Sequence, residues 1–407
     1  MKPLGPIPPG YEAIDGELAI AGRKFSKVEA SEHTPLFVYS ADLIRRKVAD
    51  LRAAMPSRLK IHYAVKANPY GHILELMRTL TDGFDIASGA ELEMVLAAGQ
   101  DPLLTSFAGP GKRDEELTMA IAHGVTLNLE SEAEARRALD VAHRLGSTPR
   151  LAIRVNPDFE LRGSGMKMGG GAKPFGLDQA RVPALAQEVI AAGAEWRGLH
   201  IFTGSQALDA AAIAETQGNV LDLAAKLTAE IGAPLPHLNI GGGLGIPYFH
   251  GDRPVDIAAV GAALSERFAA LPNELSGTAF AIELGRYLVG EAGVYLARIV
   301  DRKESHGQVF LVTDGGLHHQ LAASGNFGTV VRRNYPAAIA TKFGEEPEEE
   351  ASIVGCLCTP LDRLADQAML PRADVGDIVA VFCAGAYGAS ASPAAFLGQG
   401  PAREILI

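Results

Sequence analysis

Lys60-Ile-His-Tyr-Ala-Val-Lys66-Ala-Asn68-Pro69 is a short apolar run that stops at a polar turn. Ile61, Tyr63 and Val65 alternate with His62, Ala64 and Lys66, which is the period of a strand. A helical stretch over residues 72–80 follows at once. The same pairing recurs along the chain. Strand-like segments at 84–87, 103–107, 125–129, 151–155, 198–202, 238–241 and 279–284 are followed by helical stretches such as 90–98, 132–145 and 182–192. About eight βα units over residues 36–285 predict an α/β fold of the (β/α)8 TIM-barrel type. Beyond Arg286 the helical pattern thins. Strand-like runs at 294–300, 308–313, 353–357 and 378–383 predict a C-terminal β-rich barrel or sandwich domain over 286–407. The N-terminal segment 1–35 is too short for its own core and is expected to join that β-domain. The acidic run 345–350 reads as a solvated loop.

The 407 residues are 47% hydrophobic and 21% charged, which excludes global disorder and suffices for a large core. The net charge of −11 leaves no sequence-wide basic field to hold nucleic acid. Three cysteines cannot form a disulfide framework, which fits a reducing compartment. The opening Met1-Lys-Pro-Leu-Gly-Pro-Ile-Pro-Pro has no apolar signal core, and no run of about 18 apolar residues occurs. The expectation is a cytoplasmic enzyme that contacts neither membrane nor nucleic acid.

In a βα barrel, chemistry sits at the C-terminal ends of the strands. Lys66 ends the first, where a partly desolvated amine becomes a nucleophile. Gly241-Gly-Gly-Leu-Gly245 follows another strand and offers backbone N–H groups to a phosphate. Glu283-Leu-Gly-Arg286 closes the last barrel strand. Gly385-Ala-Tyr387-Gly388 supplies a hydroxyl, and Cys358 a thiol. Each has a plainer reading alone: an ion pair for Lys66, a tight turn for the glycines, core packing for the cysteine. His318-His319 and the cysteines lack structural-zinc spacing, so no metal is expected. Taken together, an imine-forming lysine, a phosphate turn, a carboxylate and a tyrosine suit pyridoxal 5′-phosphate.

These motifs resemble the fold-type III pyridoxal-phosphate decarboxylases, the diaminopimelate and ornithine decarboxylase family. The carriers are Tyr63-Ala-Val-Lys66-Ala-Asn68, Phe84-Asp-Ile-Ala-Ser88, Gly241-Gly-Gly243, Glu283-Leu-Gly-Arg286, Cys358 with Asp362, and Gly385-Ala-Tyr387-Gly388. The resemblance implies that Lys66 holds the cofactor as a Schiff base and Glu283 pairs with its ring nitrogen. It places Asp85, Ser88 and Arg154 near the cofactor. Ser205, Gly242, Gly243, Gly285, Arg286 and Tyr387 would bind the phosphate or adjoining groups. Cys358 would protonate the carbanion left by CO2 loss, offered across a homodimer interface. Arg286, His318, Cys358, Asp362 and Tyr387 would meet the substrate.

Three departures bear on the substrate. The ring-stacking histidine of these decarboxylases aligns with Phe202, while His200 lies two residues earlier. Asp314-Gly-Gly316 is followed by Leu317-His318-His319-Gln320, without the Asn-Asp pair and Arg-Pro segment of diaminopimelate enzymes. The usual Cys-Glu-Ser is Cys358-Thr-Pro360. The segments Gly165-Met-Lys-Met-Gly169, Pro174-Phe-Gly176 and Leu357-Cys-Thr-Pro360 resemble a narrower branch. It contains the decarboxylase of glutamyl-loaded acyl carrier protein and exosortase-associated decarboxylases. The expected activity is decarboxylation of an amino acid other than free meso-diaminopimelate, with a carrier-tethered aminoacyl group as a candidate. An amino-acid racemase on the same barrel and a non-catalytic pyridoxal-phosphate-binding protein are the alternatives.

Overall fold

The computed structural model describes residues 1–29, 33–326 and 332–407. They divide into two units: residues 1–47, 246–254 and 286–407 form one, and residues 48–245 and 255–285 the other.

The second of these is the barrel. Among the described residues, eight parallel strands close on themselves. They are β1 (Leu59–Ala64), β2 (Gly83–Ile86), β3 (Thr105–Phe107), β4 (Thr126–Leu129), β5 (Arg150–Asn156), β6 (Glu195–Ile201), β7 (His237–Asn239) and β8 (Ala279–Leu284). Closure comes from β8 pairing with β1 in the register Phe280↔Leu59 to Leu284↔Tyr63. Most strand residues are buried, because helices cover the outside and side chains fill the inside. The connecting helices are α1 (Gly71–Leu80), α2 (Gly89–Ala97), α3 (Asp114–His123), α4 (Glu132–Leu145), α5 (Val182–Ala191), α6 (Ala210–Ile231) and α7 (Ile257–Ala269). Their ends are written in the chain. Ser131 caps α4 by accepting from Glu134 N, and Gly146 stops it in the left-handed conformation.

The other unit is a mixed β-sheet. Its long strand Gly293–Ser305 pairs antiparallel with strands Leu36–Tyr39, Gln308–Thr313 and Ile378–Phe382. The hairpin of strands Tyr11–Ile14 and Glu17–Ile20 gives Tyr11, Leu18 and Ile20 to a core shared with Val294, Leu296 and Phe382. The acidic run read as a loop is only partly one. Glu349 and Glu350 begin strand Glu349–Val354, because Arg302 neutralises Glu349 through a bidentate pair at 2.7 and 2.7 Å.

Two tests follow from the barrel. Gly261 lies inside α7, where alanine ordinarily stabilises. Here an added Cβ would come within 1.9 Å of the Ala54 carbonyl oxygen. Gly261→Ala should therefore destabilise by about 1–3 kcal/mol, read as a lower unfolding midpoint. His62 and His237 stack at 5.9 Å. Burial pulls His62 down to about 4, and burial with the charge of His62 pulls His237 down to about 3. Each would stay neutral in the fold and protonate once unfolded, so stability should fall as pH drops below about 6.5 towards 4. His237→Phe should flatten that fall in urea unfolding midpoints.

Candidate active site

β1 ends at Ala64, before the Val65 and Lys66 to which its alternation runs. Lys66 lies in a 3-10 turn, Val65–Ala67, just beyond the strand. The turn is fixed by its own motif. Tyr63 Oη donates to the Asn68 carbonyl at 2.8 Å, Asn68 N donates to the Val65 carbonyl at 3.0 Å, and Asn68 Oδ1 accepts from Tyr70 N at 3.0 Å. Gly285, after β8, approaches the same turn: a Cβ there would stand 2.6 Å from Ala67 Cβ. The Lys66 amine sits 5.6 Å from the centroid of the Phe202 ring. Phe202 itself falls just past β6, which stops at Ile201.

Glu283 on β8 is buried. Its Oε2 accepts from His200 Nε2 at 2.8 Å and from Asn239 Nδ2 at 3.0 Å. Burial alone would raise its pKa. The charge and hydrogen bond of His200, with the charges of Lys66 and Arg154, outweigh burial and hold the carboxyl well below its usual range. Asp85 on β2 goes the other way. Burial and the charge of Glu283 raise it, against Lys66, His200 and a 2.8 Å hydrogen bond from Ser106 Oγ. Two neighbouring acids are thus driven apart, one anionic and one readily protonated, which is a signature of acid–base sites. Arg154 is held by Glu130 at 2.9 Å, and Glu130 also accepts from Gly109 N and Gly176 N, each at 2.7 Å.

The glycine turn after β7 is tied into this cluster. Asn239 Oδ1 accepts from Gly241 N at 2.9 Å, and Glu283 N donates to the Gly241 carbonyl at 2.9 Å. A Cβ on Gly242 would lie 1.9 Å from the Glu283 carbonyl oxygen, so only glycine lets the turn pass. Gly243 has φ +90° and its carbonyl accepts from Ala207 N at 2.9 Å. Ser205 sits in a two-residue strand, Gly204–Ser205, antiparallel to Met166–Lys167. Ser88 caps α2, accepting from Glu91 N at 3.1 Å, so its oxygen already has a structural partner.

The remaining expected residues belong to the β-unit. Arg286 and Tyr387 meet there, the guanidinium 4.7 Å from the ring centroid, and Arg286 Nη1 donates to Tyr248 Oη at 2.8 Å. Cys358 is exposed. Asp362 is buried and satisfied by backbone: Oδ1 accepts from Leu317 N at 2.6 Å and Oδ2 from Leu357 N at 2.9 Å. It anchors the loop bearing Cys358 rather than offering an open carboxylate. His318 is fully buried, and neither ring nitrogen has a hydrogen-bond partner. Asn239, Ser106, Glu130 and Tyr248 were not singled out by sequence reasoning. Asn239 and Ser106 occupy strand positions at or near a barrel-strand end, a signal that could have found them.

The profile described as "Pyridoxal-dependent decarboxylase, pyridoxal binding domain" matches residues 41–290. The chain is 35% identical over 379 residues to the L-glutamyl-[BtrI acyl-carrier protein] decarboxylase of Niallia circulans, covering 92% of this chain and 88% of that one. It is 33% identical to the diaminopimelate decarboxylase of Aquifex aeolicus, covering 95% and 90%. The crystal structure of diaminopimelate decarboxylase from M. jannaschii in complex with L-lysine superposes with a TM-score of 0.88 at 26% identity, covering 98% and 93%.

The residues fit pyridoxal 5′-phosphate. A lysine amine stands at the barrel mouth beside a carboxylate kept ionised, as a protonated ring nitrogen requires. The Gly241–Gly243 turn is pressed so closely on the Glu283 backbone that no side chain fits at Gly242, and it presents backbone alone. Within the β-unit, Arg286 Nε is buried and has no hydrogen-bond partner. The chain belongs to the pyridoxal-dependent decarboxylase family, and its cofactor is pyridoxal 5′-phosphate.

Proposed function

We propose that this enzyme decarboxylates an amino acid other than free meso-diaminopimelate, with a carrier-tethered aminoacyl group as the first substrate to test. The observation that carries the substrate reading is the loop around Cys358. Thr359 Oγ1 accepts from Leu361 N at 3.4 Å, and the nearby Asp362 carboxylate is buried and taken up by two backbone N–H groups. Arg332 and Asn326 both donate to the Leu361 carbonyl, at 3.3 and 3.2 Å. Such a loop offers a cationic distal amine little and suits a neutral or anionic substrate end. The relative from Niallia circulans, named for a glutamyl group on a carrier protein, supports the same reading.

When bound, the cofactor supplies an electron-accepting ring that takes up the electron pair left at Cα as CO2 departs. Lys66 Nζ would hold it covalently. Glu283, oriented by His200 and Asn239, would keep a proton on the ring nitrogen and so keep the ring electron-poor. The N–H groups of the glycine turn, Ser205, Arg286 and Tyr387 would bind the phosphate and adjoining groups. Asp85, Arg154 and Phe202 would shape the pocket, with Phe202 giving an aromatic face in place of a proton-handling histidine. An acidic partner for the ring nitrogen also separates this reading from a racemase, which typically sets an arginine there.

Cys358 Sγ would return the proton to Cα. It is exposed on a single chain, as a residue offered to a second copy would be, and we infer a homodimer. The free cysteines fit a cytoplasmic setting. Among the described residues, no helix is long and apolar enough to cross a membrane.

Lys66→Ala should yield no borohydride-fixed cofactor adduct by mass spectrometry; an adduct in that variant would remove Lys66 from its role. Cys358→Ala should cut the rate by about 10²–10⁴-fold, the range for a positioned acid, while the cofactor stays bound. Loss of cofactor from that variant would make Cys358 a binding residue instead.

A further inference from the structure

Arg286 is gripped within the β-unit. Besides the 2.8 Å hydrogen bond from Nη1 to Tyr248 Oη, its guanidinium carbon lies 5.5 Å from the Tyr248 ring centroid and 4.7 Å from that of Tyr387. Its Nε is buried and has no hydrogen-bond partner. A guanidinium carries its donors in one rigid plane, so fixing one N–H fixes the direction of the others.

Tyr248 is itself held from several sides. The Asp252 carboxylate accepts from Tyr248 N at 3.1 Å and from Phe249 N at 3.0 Å. The Tyr248 ring packs against Tyr335 with centroids 4.6 Å apart. Gly5 lies against its carbonyl, where a Cβ would approach to 2.0 Å. Burial pushes the phenol up to about 12, so it stays neutral at physiological pH and offers its oxygen to Arg286.

We propose that Tyr248 is a positioning residue for oxyanion binding: by taking Nη1, it aims the unpartnered Nε edge of Arg286 at the phosphate of pyridoxal 5′-phosphate. A buried N–H left unpaired is costly, and an incoming phosphate oxygen relieves that cost with a charge-assisted hydrogen bond. The inference rests on the reading of Arg286 as a phosphate ligand given above.

The test compares two probes on the full-length protein stripped of cofactor: pyridoxal 5′-phosphate, and pyridoxal, which lacks the phosphate. Affinities are read from cofactor absorbance. Tyr248→Phe keeps the ring and should weaken the phosphorylated probe about tenfold, while pyridoxal changes less than about twofold. Arg286→Lys should reduce the discrimination between the probes by at least as much as Tyr248→Phe does, and Tyr248→Phe should then add nothing further. If Tyr248→Phe weakens both probes equally, or neither, while Arg286→Lys loses discrimination, Tyr248 is not a positioning residue and the role of Arg286 stands. If Arg286→Lys keeps full discrimination, the phosphate reading of Arg286 fails, and the role of Tyr248 with it. Should Tyr248→Phe not fold, Asp252→Ala removes the acceptor that holds the turn carrying Tyr248. The ratio of affinities should fall in the same direction, and an unchanged ratio would overturn the proposal.

Discussion

A carboxylate sealed inside a protein must be compensated or it takes up a proton, and Glu283 is compensated on every side that its barrel offers. His200 and Asn239 donate to it, and Lys66 and Arg154 add positive charge. Those residues come from β5, β6, β7 and the turn after β1, so the parallel register of half the barrel converges on one anion. The register is correspondingly specific. Glu283 pairs opposite His62, and Asn239 opposite His200, so a one-residue slip of either strand would turn these polar groups to the wrong face. Burial raises Asp85, and the Glu283 anion adds to that rise, so the acid–base character of the site follows from burial and this charge together.

The glycine turn depends on that arrangement too. Asn239 donates its amide N–H to Glu283 and accepts from Gly241 N with its side-chain oxygen, which ties the glycine turn to the buried carboxylate. The Glu283 backbone meets the turn so closely that Gly242 cannot carry a side chain. In the β-unit, backbone N–H groups play the corresponding part by holding Asp362. Gly316 and Gly355 make room for it, since a Cβ on either would stand 2.2 Å from a carboxylate oxygen. That buried acid shapes the Cys358 loop and is itself no open carboxylate.

The fold is legible in the sequence wherever periodicity and caps agree. Strands Ala279–Leu284 and Gln308–Thr313 and helix Glu132–Leu145 begin and end where their patterns do. Lys66 is legible as a residue at a strand's end, but the turn that carries it is not. The alternation runs on through Val65 while the hydrogen bonds of Asn68 curl the chain. Glu349 sits in a strand because Arg302, far away in the chain, neutralises it. Cys358, Lys66 and Glu283 stand out because their chemistry is rare at such positions. Asn239, Glu130 and Tyr248 do not, because their value lies in what they hold, and a linear sequence does not display convergence. Ser88 shows the converse: a residue matched by motif whose hydroxyl already caps a helix.

The most direct measurement is CO2 release with solvent-deuterium incorporation at Cα. Holoenzyme would be given a glutamyl group loaded on a carrier protein, and in parallel free meso-diaminopimelate, ornithine, lysine, arginine and glutamate. CO2 from the carrier-bound group, with one deuterium placed at Cα and no turnover of diaminopimelate, is the expected result. CO2 from free diaminopimelate would contradict the substrate reading, and deuterium exchange without CO2 from any of them would contradict decarboxylation itself.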